Sequence, residues 1–152
     1  MEILYLDKNK KSFTLIELMI VIGILGLVLA AALTGYKKQI EKGQDAKRKR
    51  DLSQLRTALE DYHNDRNRYP SQGQMVCGAS LSPWIKKIPC EPSGASYFYE
   101  TDANGSYFRI YTQLANEEDP AIEKVGCQKI SQGGCPHNSH YNYGITSGNI
   151  DL

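Results

Sequence analysis

The sequence predicts an α+β chain. One long N-terminal helix, apolar in its first half and amphipathic in its second, packs on a small antiparallel β-sheet with a loop-rich C-terminus. Three observations predict it. Phe13 to Leu33 is an apolar run with a single charge, Glu17. Leu52, Leu55, Leu59 and Tyr62 recur at the spacing of one helix face. Asn104-Gly105 separates two aromatic-rich segments, a strong hairpin signal. The length, 152 residues, bounds the chain to one globular domain with an appendage. Hydrophobic residues at 41% and charged residues at 23% exclude a disordered chain, a collagen-like chain and a multi-span membrane protein. Lys and Arg number 18 against 17 Asp and Glu, and this even balance argues against a dedicated nucleic-acid binder.

The first element is the apolar run. Residues 1–12 carry Lys8, Lys10 and Lys11 and read as a leader. Residues 13–35 follow as a hydrophobic helix; at ~1.5 Å per residue, about 21 residues span roughly the 30 Å of a bilayer core. Three readings compete. A secretory signal would be cut near Ala30-Ala31-Ala32. A plain anchor would stay uncut. A third kind of segment would be cut before Phe13 and kept as a helix. Glu17 separates them, because a carboxylate in an apolar helix costs roughly 2.5–3.5 kcal/mol or more and needs a partner. A free α-amino group on Phe13, four residues earlier, is that partner.

Lys11-Ser12-Phe13-Thr14-Leu15-Ile16-Glu17-Leu18, followed by the apolar run, resembles the processing motif of type IV pilins and type II secretion pseudopilins. The resemblance implies a pilin fold. It implies cleavage between Ser12 and Phe13 by a prepilin peptidase, methylation of the Phe13 amine, and a role for Glu17 in assembly. Gly26 matches a small residue common in the family at that place. Ser12 stands where the family most often has Gly, and Thr34 where it often has Pro.

The second helical half, residues 36–69, has no Pro and many helix formers. Helix can therefore run from Phe13 to about Arg66, about 54 residues and roughly 80 Å. Tyr69-Pro70 ends it, because the residue before Pro disfavours helical dihedrals. Ala58 to Pro70 resembles the helix end of the pseudopilin branch. Lys47, Arg48, Lys49, Arg50, Arg56, Glu60 and Asp61 fill the other faces, and His63 reads as exposed. Gly23, Gly26, Gly35 and Gly43 within the helix read either as close-packing sites or as a zone that melts in a filament.

Residues 70–152 form the globular part. Tyr97 to Thr101 and Tyr107 to Leu114 read as the hairpin strands. Phe108, Ile110, Thr112 and Leu114 share one strand face and should pack on the leucine stripe. Tyr107, Arg109, Tyr111 and Gln113 share the other and should face solvent or a neighbouring subunit. Residues 115–152 read as a long loop with one short strand around His140 to Thr146, and Tyr141-Asn142-Tyr143-Gly144 resembles C-terminal segments of pilins of this branch. Four cysteines allow three pairings. In an exported domain the local pairs Cys77–Cys90 and Cys127–Cys135 are expected; a zinc site from Cys127, Cys135, His137 and His140 is the rival. Glu117, Glu118 and Asp119 read as a solvated acidic loop. The resemblance also makes them candidates for the structural calcium that type II major pseudopilins hold in a comparable loop, although three adjacent acids specify no cage.

No catalytic or phosphate-binding motif is present, so no enzyme and no cofactor is expected. The resemblance implies a single-pass inner-membrane precursor with an extracytoplasmic C-terminal domain. That precursor is then polymerised by a pilus or secretion assembly platform into a homo-oligomeric helical filament, periplasmic or extracellular. The alternative is a membrane-anchored extracytoplasmic binding or adhesin module that stays monomeric.

Overall fold

A computed structural model describes residues 13–33, 36–148 and 152. The leader, including Ser12, lies outside the described residues, as do Thr34 and Gly35. The chain forms two compact units, Met1–Gln39 and Ile40–Leu152.

The first unit carries helix α1, Leu15–Leu33. Leu, Ile, Val and Ala fill it, and it runs through Gly23 and Gly26. Its 19 residues rise about 28 Å. Among the described residues, no helix is long and apolar enough to cross a membrane. Helix α2 spans Tyr36–Arg66. It ends where Asn67 takes a left-handed φ of 55° and its amide closes onto the His63 carbonyl at 2.7 Å. Asn tolerates that conformation better than most residues. The stop therefore comes before Tyr69-Pro70.

In the second unit, β1 (Phe98–Thr101) and β2 (Phe108–Thr112) pair antiparallel, with Phe98 opposite Tyr111 and Thr101 opposite Phe108. A third strand, β3 (Tyr143–Thr146), pairs antiparallel with the other edge of β2, with Arg109 opposite Thr146. Among the described residues the sheet order is β1-β2-β3. The hairpin turn docks on the end of α2: the Tyr69 amide donates to the Gly105 carbonyl at 2.8 Å. Gly105 has φ +68°, and a Cβ there would lie 2.6 Å from the Tyr69 carbonyl oxygen. Only glycine suits both the dihedral and the close approach.

Leu52, Leu55, Ala58, Leu59 and Tyr62 of α2 are buried with Phe108 and Ile110 of β2 and with Tyr97, Tyr99, Leu81, Ile85 and Ile88. Each large side chain so buried contributes about 1.5–3 kcal/mol. The opposite sheet face departs from the sequence expectation. Tyr111 is fully buried, in a second cluster with Ile122, Cys127, Cys135 and Leu152, and Leu114 lies in that cluster too instead of on the leucine stripe. Helix α3, Pro120–Lys124, and the loop after it cover that face. Residues 115–142 are thus less irregular than expected: Asp119 caps α3, accepting the Ala121 amide at 2.9 Å, with Pro120 at its first position.

Candidate functional site

Two places carry the residues singled out in the sequence: the start of α1 and the loop between β2 and α3. In α1, every large apolar side chain from Leu15 to Leu29 is between 47% and 76% exposed, and Phe13 is 80% exposed. These residues surround the helix, so no single face is buried. A helix apolar all round is stable only when lipid or other helices cover it.

Glu17 sits in the first turn of that helix. Its carboxylate accepts the Thr14 amide at 3.1 Å and the Thr14 hydroxyl at 3.0 Å, and its own amide donates to the Thr14 Oγ1 at 3.3 Å. The reciprocal pair is a capping box, which satisfies helix amides that otherwise lack partners. The pattern Thr14-x-x-Glu17 is the sequence signature of such a box. Within the subunit the Glu17 charge therefore has a local partner.

Asp119 of the acidic loop is shielded and fastened, while Glu118 stays solvated. Lys49 of α2 donates to Asp119 Oδ2 at 2.6 Å, with side chains 33% and 15% exposed. Burial pushes the Asp119 carboxyl up. The Lys49 hydrogen bond, the Ala121 amide and the nearby lysine charges outweigh it and hold the group below its ordinary range. Lys129 pairs with Glu118. Asp45 of α2, 2% exposed, accepts the Ala115 and Asn116 amides at 2.9 Å each, and Arg48 donates to it at 2.8 Å.

The rest of this charged stretch of α2 reaches the globular unit too. Lys47 donates to the Cys90 carbonyl at 3.0 Å, and the Tyr97 hydroxyl donates to Asp51 at 2.9 Å. Glu91 accepts from Thr112 at 2.5 Å and lies 3.9 Å from Arg48. Lys47, Arg48 and Lys49 are therefore half-buried anchors, not a solvated face. Asp45 and Asp51 gave no sequence signal beyond their charge. His63 is half-buried, stacked on Tyr69 with ring centroids 4.5 Å apart.

The cysteines join as Cys77–Cys90 and Cys127–Cys135, with Cα atoms 4.8 and 4.2 Å apart. Cys127 and Cys135 are thereby unavailable as thiolate ligands. Both Asp119 oxygens and one Glu118 oxygen are engaged by N–H donors. Among the described residues no group of three or more His, Cys, Asp or Glu is placed to hold a metal ion. A calcium ion needs six to eight converging oxygens.

Residues 7–33 match the family described as the prokaryotic N-terminal methylation motif. The type II secretion system core protein G of Pectobacterium carotovorum is 32% identical over 59% of this chain, which spans just under two thirds, 65%, of that protein's length. The protein of the same name from Dickeya chrysanthemi is 24% identical over 95% of this chain and 99% of its own length. That from Klebsiella pneumoniae is 31% identical over 59% of this chain and 74% of its own length. No solved structure matches.

Proposed function

We propose, because the chain belongs to the family of type II secretion system core protein G, that it is a structural subunit of a type II secretion pseudopilus. The leader is removed between Ser12 and Phe13 by a prepilin peptidase, which also methylates the new Phe13 amine. Before assembly the apolar helix holds the subunit in the inner membrane, with residues 70–152 outside the cytoplasm, where both disulfides are at home. On assembly, α1 helices leave lipid and bundle into the core of a periplasmic filament.

The observation that carries this reading is α1 itself, apolar around its whole circumference and exposed around it. Glu17 lies in the first turn of that helix, and in a bundle its carboxylate faces the Phe13 amine of its own or a neighbouring subunit. An ion pair in a low-dielectric core adds little net stability but strongly disfavours any register that leaves one charge alone.

The test combines processing and assembly. Intact mass of the membrane-extracted protein should give a chain starting at Phe13 with one added methyl group. Glu17→Ala should still be cleaved yet form no filament. A start at Met1, or normal filaments from the variant, would sink the reading. A start at Met1 with no cross-linked ladder in membranes would favour the monomeric anchored module.

A further inference from the structure

The loop that joins β2 to α3 has the acids of a cation site but not its geometry. Both oxygens of Asp119 are committed, Oδ1 to the Ala121 amide and Oδ2 to Lys49, and Glu118 is committed to Lys129. The Lys49 nitrogen sits 2.6 Å from its oxygen, within the range a calcium–oxygen bond would occupy. Two ammonium groups supply the two positive charges that one calcium ion would, with three donors apiece. The loop is also fixed from its other end, where Asp45 takes the Ala115 and Asn116 amides.

We propose that Lys49 and Lys129 fasten this loop in place of a calcium ion, so that the fold of this chain does not depend on calcium. The two lysines come from different places, α2 and the loop after α3, and so tie three segments together. Lys49 carries the larger share, because it and Asp119 are both shielded from water. Glu118 is 78% exposed, and an exposed pair contributes little. The inference rests on the loop alone and survives whether or not the chain polymerises.

The test uses the full chain purified in detergent. Thermal unfolding is followed in millimolar calcium chloride and in EGTA, with calorimetric titration of calcium chloride alongside. A fold that holds the ion would gain roughly 10 °C at a hundredfold excess over Kd. The expected difference is under about 2 °C, with no saturable heat. A calcium-dependent rise of several degrees, or saturation near one ion per chain, overturns the proposal. Lys49→Met, which keeps the apolar stem, should lower Tm by several degrees equally in calcium and in EGTA. An unchanged Tm overturns the assignment of Lys49 as the fastening. Should that variant fail to fold, the wild-type comparison still decides.

Discussion

Replacing Asp45 by alanine is the most severe test of how α2 holds the globular part. Asp45 is 2% exposed and is the shared acceptor for two loop amides and one guanidinium. Asp45→Ala strands the Ala115 and Asn116 amides, at about 1–3 kcal/mol for each donor that finds no water. It also removes the nearest anion from Arg48, 13% exposed, whose next carboxylate, Glu91, is 3.9 Å away. Breaking a buried pair from one side costs about 3–5 kcal/mol, because the remaining charge stays buried. These losses share one carboxylate and do not add. The expected cost is about 3–5 kcal/mol, a large part of the ~5–15 kcal/mol that a domain has in all. At roughly 4 °C per kcal/mol, Tm should fall by about 12–20 °C. Asp45→Asn keeps one acceptor but turns an NH2 group toward a donor, so it should fall between the alanine variant and wild type. Thermal unfolding by circular dichroism on the purified full chain measures both. A Tm for Asp45→Ala within about 3 °C of wild type would refute the assignment of Asp45 as the fastening of this loop.

Gly105→Ala should destabilise by about 2–3 kcal/mol, read as a lower urea midpoint, because a Cβ meets the Tyr69 carbonyl at 2.6 Å and the φ is positive. Replacing Cys127 and Cys135 together by serine should cost about 2–3 kcal/mol from loop entropy and expose the second core cluster to a hydrophobic dye; unchanged dye binding would place that cluster's stability elsewhere. The folded Asp119 carboxyl lies below its ordinary value of 3.8, so its contribution is present above pH 3.8 and is lost as pH falls through the lower folded value. Acid titration of Lys49→Met should therefore show a shallower loss of stability at low pH than wild type. Tyr69, raised to about 12 by burial and by its hydrogen bond to Glu60, should be absent from the phenolate absorbance that grows near pH 10 and titrate at higher pH with Tyr97, Tyr99 and Tyr111, which burial also raises; Tyr69→Phe should lower the amplitude of that late step by one tyrosine and leave the rest of it in place.

What was legible in the sequence was whatever depends on local pattern. The leucine stripe, the Asn-Gly turn and the alternating strands each follow from a period of 3.6 or 2 within a dozen residues, and they place α2, β1 and β2. The second core could not be read this way. Tyr111 alternates with Ile110, so period alone sends it outward. What buries it is Ile122, Leu114, Leu152 and a disulfide loop, residues scattered without a period. The charged stretch from Asp45 to Asp51 is a similar case. Its sequence gives signs but not partners, and partners 43 to 71 residues away decide that these side chains bind carbonyls and loop amides instead of water.

Glu17 shows the opposite error, a local signal read only for its long-range meaning. The cost of a lone carboxylate in an apolar helix is what singled it out, yet Thr14 three residues earlier already answers part of that cost. The weight of the assembly reading therefore moves from the charge to the surface around it. A capped carboxylate needs no second subunit, but a helix whose apolar side chains are about half exposed or more on every side needs lipid or other helices around it. In the proposed function, lipid would meet that need before assembly, and neighbouring α1 helices would meet it after. If the proposed assembly holds, the capping box would have a use of its own: it would satisfy the carboxylate during transfer, so that Glu17 could reach a new amine without first standing unpaired in the membrane. Thr14→Val, which keeps the shape but removes the hydroxyl, should leave cleavage intact and lower filament yield less than Glu17→Ala does. Equal loss from both variants would mean that the threonine hydroxyl itself is part of the assembled contact.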